Sequence, residues 1–216
     1  MKRPWTPDEM AERVANALPD GSYVNLGIGM PTAVAAHVPP GREIIYHSEN
    51  GILGMGPPPA PGDEDPNLVN AGKQPITLIP GASIFHHADS FAMIRGGHID
   101  IAVLGGMQVS AQGDLANWIV GGQKLGSIGG AMDLAVGAKR VFVMMRHVDK
   151  SGDLKIVDRC TYPLTGERCV SMIFTDLAVI DVTTEGLVAR ELAPGHSLED
   201  VQRVTGPRLR MAVAVG

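Results

Sequence analysis

Cysteine is scarce in this chain. Only Cys160 and Cys169 occur, too far apart for a Cys-x-x-Cys pair, so neither a disulfide framework nor a thiol-ligated metal has a basis. Both are expected as free, structural thiols in a reduced compartment. Long apolar runs are missing too, since no segment approaches the roughly 18 uninterrupted apolar residues of a membrane-spanning helix. Met1-Lys2-Arg3-Pro4-Trp5 leads directly into polar helical sequence without a signal-peptide core. A cytoplasmic protein with no membrane contact is expected. Basic runs are absent, and 18 Lys and Arg against 23 Asp and Glu leave a net charge of -5. That balance disfavours nucleic acid as a partner and favours small molecules or other subunits. There is no Gly-x-Ser-x-Gly elbow and no Walker loop. His86-His87 precedes Asp89, yet adjacent histidines are poor joint ligands and no His-x-x-x-His or Cys/His cluster supports them, so no metal is expected.

Glycine and proline are plentiful, at 27 and 16 in 216 residues, which predicts one compact unit (residues 1–216) with many tight turns. Thr6-Pro7-Asp8-Glu9 forms a capping-box pattern opening a helix that ends near Leu18. Tyr23 to Leu26 reads as a strand running into Gly27-Ile28-Gly29, with Pro31 opening a second helix to about His37. Glu43 to His47 reads as another strand, so Ser48-Glu49-Asn50-Gly51 falls at its end. Gly54 to Pro66 is a long Pro-rich, acidic loop. Further strands are expected at Ile76–Ile79, Ile99–Leu104, Arg140–Met145, Val170–Ile173, Ala178–Val182 and Leu187–Glu191. Helical pieces are expected at Ser90–Arg95 and Ala131–Val136, and Ser197-Leu198-Glu199-Asp200 caps a last helix that Gly206 can end. This order predicts an α/β fold, a single domain with a central, mostly parallel sheet flanked by helices.

Three glycine-dense places offer main chain to a ligand: Gly27-Ile28-Gly29, Gly51 after Glu49, and Gly129-Gly130 opening a helix. Such places suit oxyanions, although each one alone is equally an ordinary turn. A dinucleotide-binding oxidoreductase is one alternative, because Glu49 lies about 20 residues beyond Gly27-Ile28-Gly29. Thr32 stands where that motif needs its third glycine, and Pro31 precedes it.

Taken together, Asn25-Leu26-Gly27-Ile28-Gly29-Met30-Pro31, Ser48 to Pro57, Asn70-Ala71-Gly72-Lys73, Phe91 to His98, Gly113 to Trp118 and Gly130 to Leu134 resemble the β (B) subunits of class I CoA transferases that act on 3-oxoacids. The runs stand in family order from near residue 20 to near 190. The resemblance implies that Glu49 is a covalent nucleophile, that Asn25 lies beside it, and that main chain around Gly130 and Ala131 forms an oxyanion site. It also points to Lys73 as a CoA contact, and Gly27 and Gly29 belong to the same binding surface. Glu49 would carry CoA as a thioester between two carboxylic acids, needing no general base because a carboxylate of ordinary pKa is already ionised at neutral pH. Intact Ser48-Glu49-Asn50-Gly51 speaks against a non-catalytic assembly role. No permanently bound cofactor is implied; CoA thioesters are substrates. The family's α (A) subunits carry a glycine-rich CoA-binding run that is not found here, so the resemblance implies a hetero-oligomer with a CoA-transferase α subunit. Phe85-His86-His87-Ala88-Asp89 and the Pro57–Gly62 loop are most like subunits that use succinyl-CoA and 3-oxoadipate, with acetoacetate the alternative 3-oxo acid. Gly121 to Ser127 departs from the 3-oxoadipate pattern.

Overall fold

The computed structural model describes residues 1–120 and 128–212. The first helix, α1 (Pro7–Ala17), starts where Thr6 accepts the Glu9 N–H and the Glu9 carboxylate accepts the Thr6 N–H. Two otherwise unpaired donors are thereby satisfied. Strand β1 (Tyr23–Leu26) follows, then a 3-10 helix over Met30–His37. A helix is the expectation at that place, and the observed segment is the tighter 3-10 form, entered from Gly29 at φ 94°. Next come β2 (Ile45–Ser48), β3 (Ile52–Met55), β4 (Leu78–Ile84) and α2 (His87–Arg95). They lead into β5 (Ile101–Gly105), β6 (Gln108–Ser110), β7 (Leu115–Ala116), α3 (Ala131–Gly137) and β8 (Arg140–Met144). The chain continues through β9 (Ile156–Val157), β10 (Val170–Phe174), β11 (Ala178–Thr183), β12 (Gly186–Leu192), α4 (Leu198–Gln202) and β13 (Leu209–Met211).

Among the described residues ten strands form one sheet in the order β13-β12-β11-β10-β8-β5-β1-β2-β3-β4. From β10 to β2 every pairing is parallel, while β11, β12, β3 and β4 extend the sheet through antiparallel pairings. A parallel centre needs cover on both faces, and the strand sequences are built for it. Ile101 and Val103 of β5 join one core cluster with Met10 and Val14 of α1, while Ala102 and Leu104 join the other with Ile94 of α2 and Leu134 of α3. This explains why Ile101 to Leu104 is apolar without alternation.

Three expectations are corrected. Residues 52–55 form β3, so the strand reaches into the stretch read as loop from Gly54. The strand expected at Ile76–Ile79 lies at Leu78–Ile84, where Pro80 is admissible because β4 is an edge strand. Helix α4 stops at Gln202, and the Gly206 N–H donates to the Ile156 carbonyl rather than ending the helix.

Candidate active site

Strand β1 is flanked by β2 on one side and β5 on the other, so the chain reverses its direction of travel across the sheet there. In open α/β sheets the crevice at the carboxyl ends of such strands is where ligands bind. A cavity of about 240 Å³ opens at this point, lined by Gly27, Glu49, Gly105, Asn117, Gly130 and Ala131 among others. A larger cavity of about 630 Å³ lies away from it, around Gln112, Arg168 and Thr183.

Glu49 begins the turn after β2 and is held there by its neighbours. The Gly51 N–H closes the turn onto the Ser48 carbonyl at 3.0 Å, and the Phe85 N–H reaches the Gly51 carbonyl at 3.0 Å. On the other side, Ser48 Oγ accepts the Ala71 N–H at 3.0 Å and the Asn50 amide donates to the Val69 carbonyl at 2.7 Å. Gly51 is required here for two reasons. Its φ is 113°, and a Cβ would stand 2.2 Å from the Phe85 carbonyl oxygen. Gly51→Ala is therefore expected to cost about 3 kcal/mol or more of folding stability, measurable by urea titration.

Gly130 comes close to the Glu49 carboxyl. A Cβ built on Gly130 would lie 2.9 Å from one carboxylate oxygen and 3.1 Å from the other, so only glycine leaves room for this approach. Gly130 is the N-cap of α3, and the Ala131 N–H donates to the Ile128 carbonyl at 3.1 Å. The Ala131 N–H is thus already occupied in the free chain.

Burial raises the Glu49 pKa above its ordinary value, with nearby Asp133 adding to the rise and His87 opposing it. Glu49 is half-buried, in keeping with that rise. Arg95 pairs with Asp133 at 2.6 Å, tying α2 to α3 beside this charge.

The residues singled out from sequence separate into two groups. Gly27, Glu49, Gly130 and Ala131 line the same cavity. Gly29 sits in the neighbouring turn, with open space about its α-carbon. Lys73 is exposed, in a left-handed turn at φ 62°. That turn abuts the cavity, since a Cβ on Gly72 would lie 3.6 Å from Ile28, a lining residue. Asn25 is buried, and its side-chain hydrogen bonds run to His47, its partner across the β1–β2 pairing, not to Glu49 among the described residues. His86 caps α2 by accepting the Ala88 N–H at 3.1 Å, and His87 rests on the Phe91 ring at 4.8 Å. Among the described residues no group of three or more His, Cys, Asp or Glu side chains is placed to hold a metal ion. Burial pushes both thiols, Cys160 and Cys169, up to about 11, keeping them protonated. The divergent Gly121–Ser127 stretch lies outside the described residues.

The lining residues that the sequence did not single out include Asn117 and Ile28. Asn117 carries its amide on the Gly105 carbonyl at 3.0 Å and its oxygen under the Thr165 hydroxyl at 2.6 Å, a fixed orientation that depends on two distant segments meeting. Ile28 lies between the two glycines and is 67% exposed, an apolar residue that only the fold shows to face the site.

A carboxylate at the strand ends of an α/β sheet, with glycine main chain against it, suits acyl-transfer chemistry. Comparison with known proteins agrees. Residues 8–203 match the coenzyme A transferase family model. The chain is 57% identical over 205 residues to the B subunit of the 3-oxoadipate CoA-transferase of Acinetobacter baylyi, covering 94% of each chain. It is 52% identical over 196 residues to the B subunit of the probable succinyl-CoA:3-ketoacid coenzyme A transferase of Bacillus subtilis, covering 91% of each. An acyl-CoA transferase from Escherichia coli O157:H7 shares the fold at a TM-score of 0.76 and 16% identity, over 98% of this chain and 43% of that one. The chain belongs to the coenzyme A transferase family, and it is a CoA-transferase.

Proposed function

We propose that this chain is the B subunit of a succinyl-CoA:3-oxoacid CoA-transferase, with 3-oxoadipate as the acceptor acid and Glu49 as the group that carries CoA. The observation that carries it is the Glu49 carboxyl lodged against Gly130 at the ends of β1, β2 and β5. Ionised Glu49 attacks the succinyl-CoA carbonyl and expels CoA thiolate, leaving a mixed anhydride. The thiolate then attacks the Glu49 carbonyl, releasing succinate and leaving a glutamyl-CoA thioester. The 3-oxo acid carboxylate attacks that thioester, expels the thiolate again, and the thiolate takes the acyl group from the new anhydride. Each step exchanges one carboxylate or thiolate for another, so no proton has to move. The demand is for stabilisation of tetrahedral oxyanions, where each positioned donor is worth about 3 kcal/mol. We assign that task to the Gly130 main chain, which lies against the Glu49 carboxyl, and assign to Lys73 a contact with a phosphate or carbonyl of CoA.

Several features support a partner chain. A cavity of about 240 Å³ is too small to enclose a CoA thioester. The lining residue Ile28 and two residues of α3, Met132 and Val136, are 67%, 46% and 77% exposed. The α subunit would complete the CoA site on this side. Lys73→Ala is expected to raise KM for succinyl-CoA roughly 10-fold with kcat little changed, because it removes binding common to ground and transition states. Steady-state rates of the reconstituted pair check this.

The acceptor is tested by assaying the reconstituted pair with succinyl-CoA and either 3-oxoadipate or acetoacetate. A larger kcat/KM for 3-oxoadipate is expected. The reverse order would assign the acetoacetate alternative, the activity named for the Bacillus subtilis type of relative being of the broader 3-ketoacid kind.

A further inference from the structure

Behind Glu49 lies a buried polar cluster that the transfer chemistry does not itself use. His47, Asn25 and Ser90 are 1%, 2% and 0% exposed, and they belong to β2, β1 and α2. The Asn25 amide nitrogen lies 3.0 Å from His47 Nδ1 and 3.3 Å from the His47 carbonyl oxygen. On the far side of the ring, His47 Nε2 lies 2.8 Å from Ser90 Oγ.

The proton positions in this cluster follow from one fixed acceptor. A main-chain carbonyl only accepts, so the atom of Asn25 beside the His47 carbonyl has to be its NH2 group; turning the amide would set oxygen against oxygen. The same NH2 therefore donates to His47 Nδ1, which must be unprotonated. A neutral imidazole then carries its proton on Nε2 and donates to Ser90 Oγ. Burial holds the ring neutral by lowering its pKa to about 4. The ring also stacks on Phe85 at 6.3 Å, the residue whose N–H closes onto the Gly51 carbonyl.

We infer that His47 is a positioning residue for the transfer reaction: as the Nε2-protonated tautomer it locks Asn25 and α2 to the end of β2, and so fixes where the Glu49 turn leaves the sheet. Glu49 is two residues along the chain from His47. Its carboxyl has to meet both the Gly130 main chain and an acyl carbonyl, and a misplacement of about 1 Å costs on the order of 10²-fold in rate. The cluster supplies rigidity from three elements at the one point where β2 ends. This inference rests on Glu49 being the nucleophile.

The experiment compares His47→Leu and His47→Asn in the reconstituted pair, with succinyl-CoA as donor, and reads the wild-type imidazole by ¹⁵N NMR. Asparagine puts an acceptor oxygen where Nδ1 stood; leucine fills the space but accepts nothing. The expected result is a kcat loss on the order of 10²-fold for His47→Leu, with KM for succinyl-CoA within about 2-fold, and recovery of most of that kcat by His47→Asn. If His47 served only packing, Leu would be the better replacement, and that order of rates would overturn the inference. The wild-type spectrum needs no variant to fold: unprotonated Nδ1 and protonated Nε2 at neutral pH are expected, and the opposite tautomer would overturn it as well. CoA adduct formation on Glu49 in the wild type separates the two levels. No adduct refutes the nucleophile on which the inference rests, whereas a normal adduct with equal kcat in wild type and His47→Leu refutes the positioning role alone.

Discussion

Replacing Glu49 by Gln is expected to abolish CoA transfer, by roughly 10⁴-fold or more, while leaving the fold in place. On the proposed mechanism the amide can neither attack a thioester nor be regenerated as a leaving carboxylate. The size of the effect is that of losing a covalent nucleophile, with no second carboxylate lining the cavity to take its place: the other described lining residues are glycines, apolar residues and Asn117. The same substitution makes an opposite prediction for stability. Burial raises the Glu49 pKa in the folded chain, so the stabilising contribution is that of the protonated form. It is fully present below the unfolded-state pKa and is lost as pH rises through the folded-state value. At neutral pH the ionised carboxylate is therefore a net cost. Glu49→Gln should melt at or above the wild-type temperature at pH 7, with the difference shrinking on acidification. A scan of melting temperature against pH checks it, and a variant clearly less stable at pH 7 would count against the burial of this charge. On the proposed mechanism the rate has the matching sign: the acid limb of kcat/KM is expected to be shifted upward from the ordinary Glu value, because only the ionised form would attack.

Gly130→Ala is the second large effect. The added methyl would stand 2.9 Å from a Glu49 carboxylate oxygen, closer than carbon and oxygen normally approach. Gly130 has φ -83° and ψ 2°, a conformation alanine can take, so the main chain has no reason to yield. Glu49 must move instead. The expected outcome is a kcat loss on the order of 10²-fold, with folding stability changed little. Measuring both separates this from Gly51→Ala, where positive φ and a main-chain clash make stability the first casualty.

The elements read most easily from sequence are those specified by local chemistry. Thr6 with Glu9 and Ser197 with Asp200 open α1 and α4 through reciprocal caps, as their spacing indicated. The central strands carried continuous apolar runs, because both faces of a parallel sheet are covered. Strand β3 was hidden by its glycines: Gly51 and Gly54 look like a turn, and only pairing with β2 and β4 makes Ile52–Met55 extended. The small sheet of β6, β7 and β9 was equally hidden, since its strands are 2–3 residues long and are held by pairing with each other and by packing Val109, Leu115 and Ile156 into the second core. Within the site, Glu49 could be placed at a strand end from sequence. The role of His47 could not, because its link to Asn25 depends on parallel register and its link to Ser90 on how α2 docks. Asn25 was expected beside the carboxylate; the hydrogen bonds of its amide to His47 could not be read from the sequence.

The position at which CoA becomes covalently attached tests the role of Glu49 most directly. The chain, reconstituted with its α subunit, is incubated with succinyl-CoA without acceptor, digested, and its peptides are weighed by mass spectrometry. The predicted result is a single CoA adduct, on the peptide containing Ser48-Glu49-Asn50-Gly51, absent from the Glu49→Gln protein. An adduct on any other residue, or turnover with no adduct formed, would contradict it.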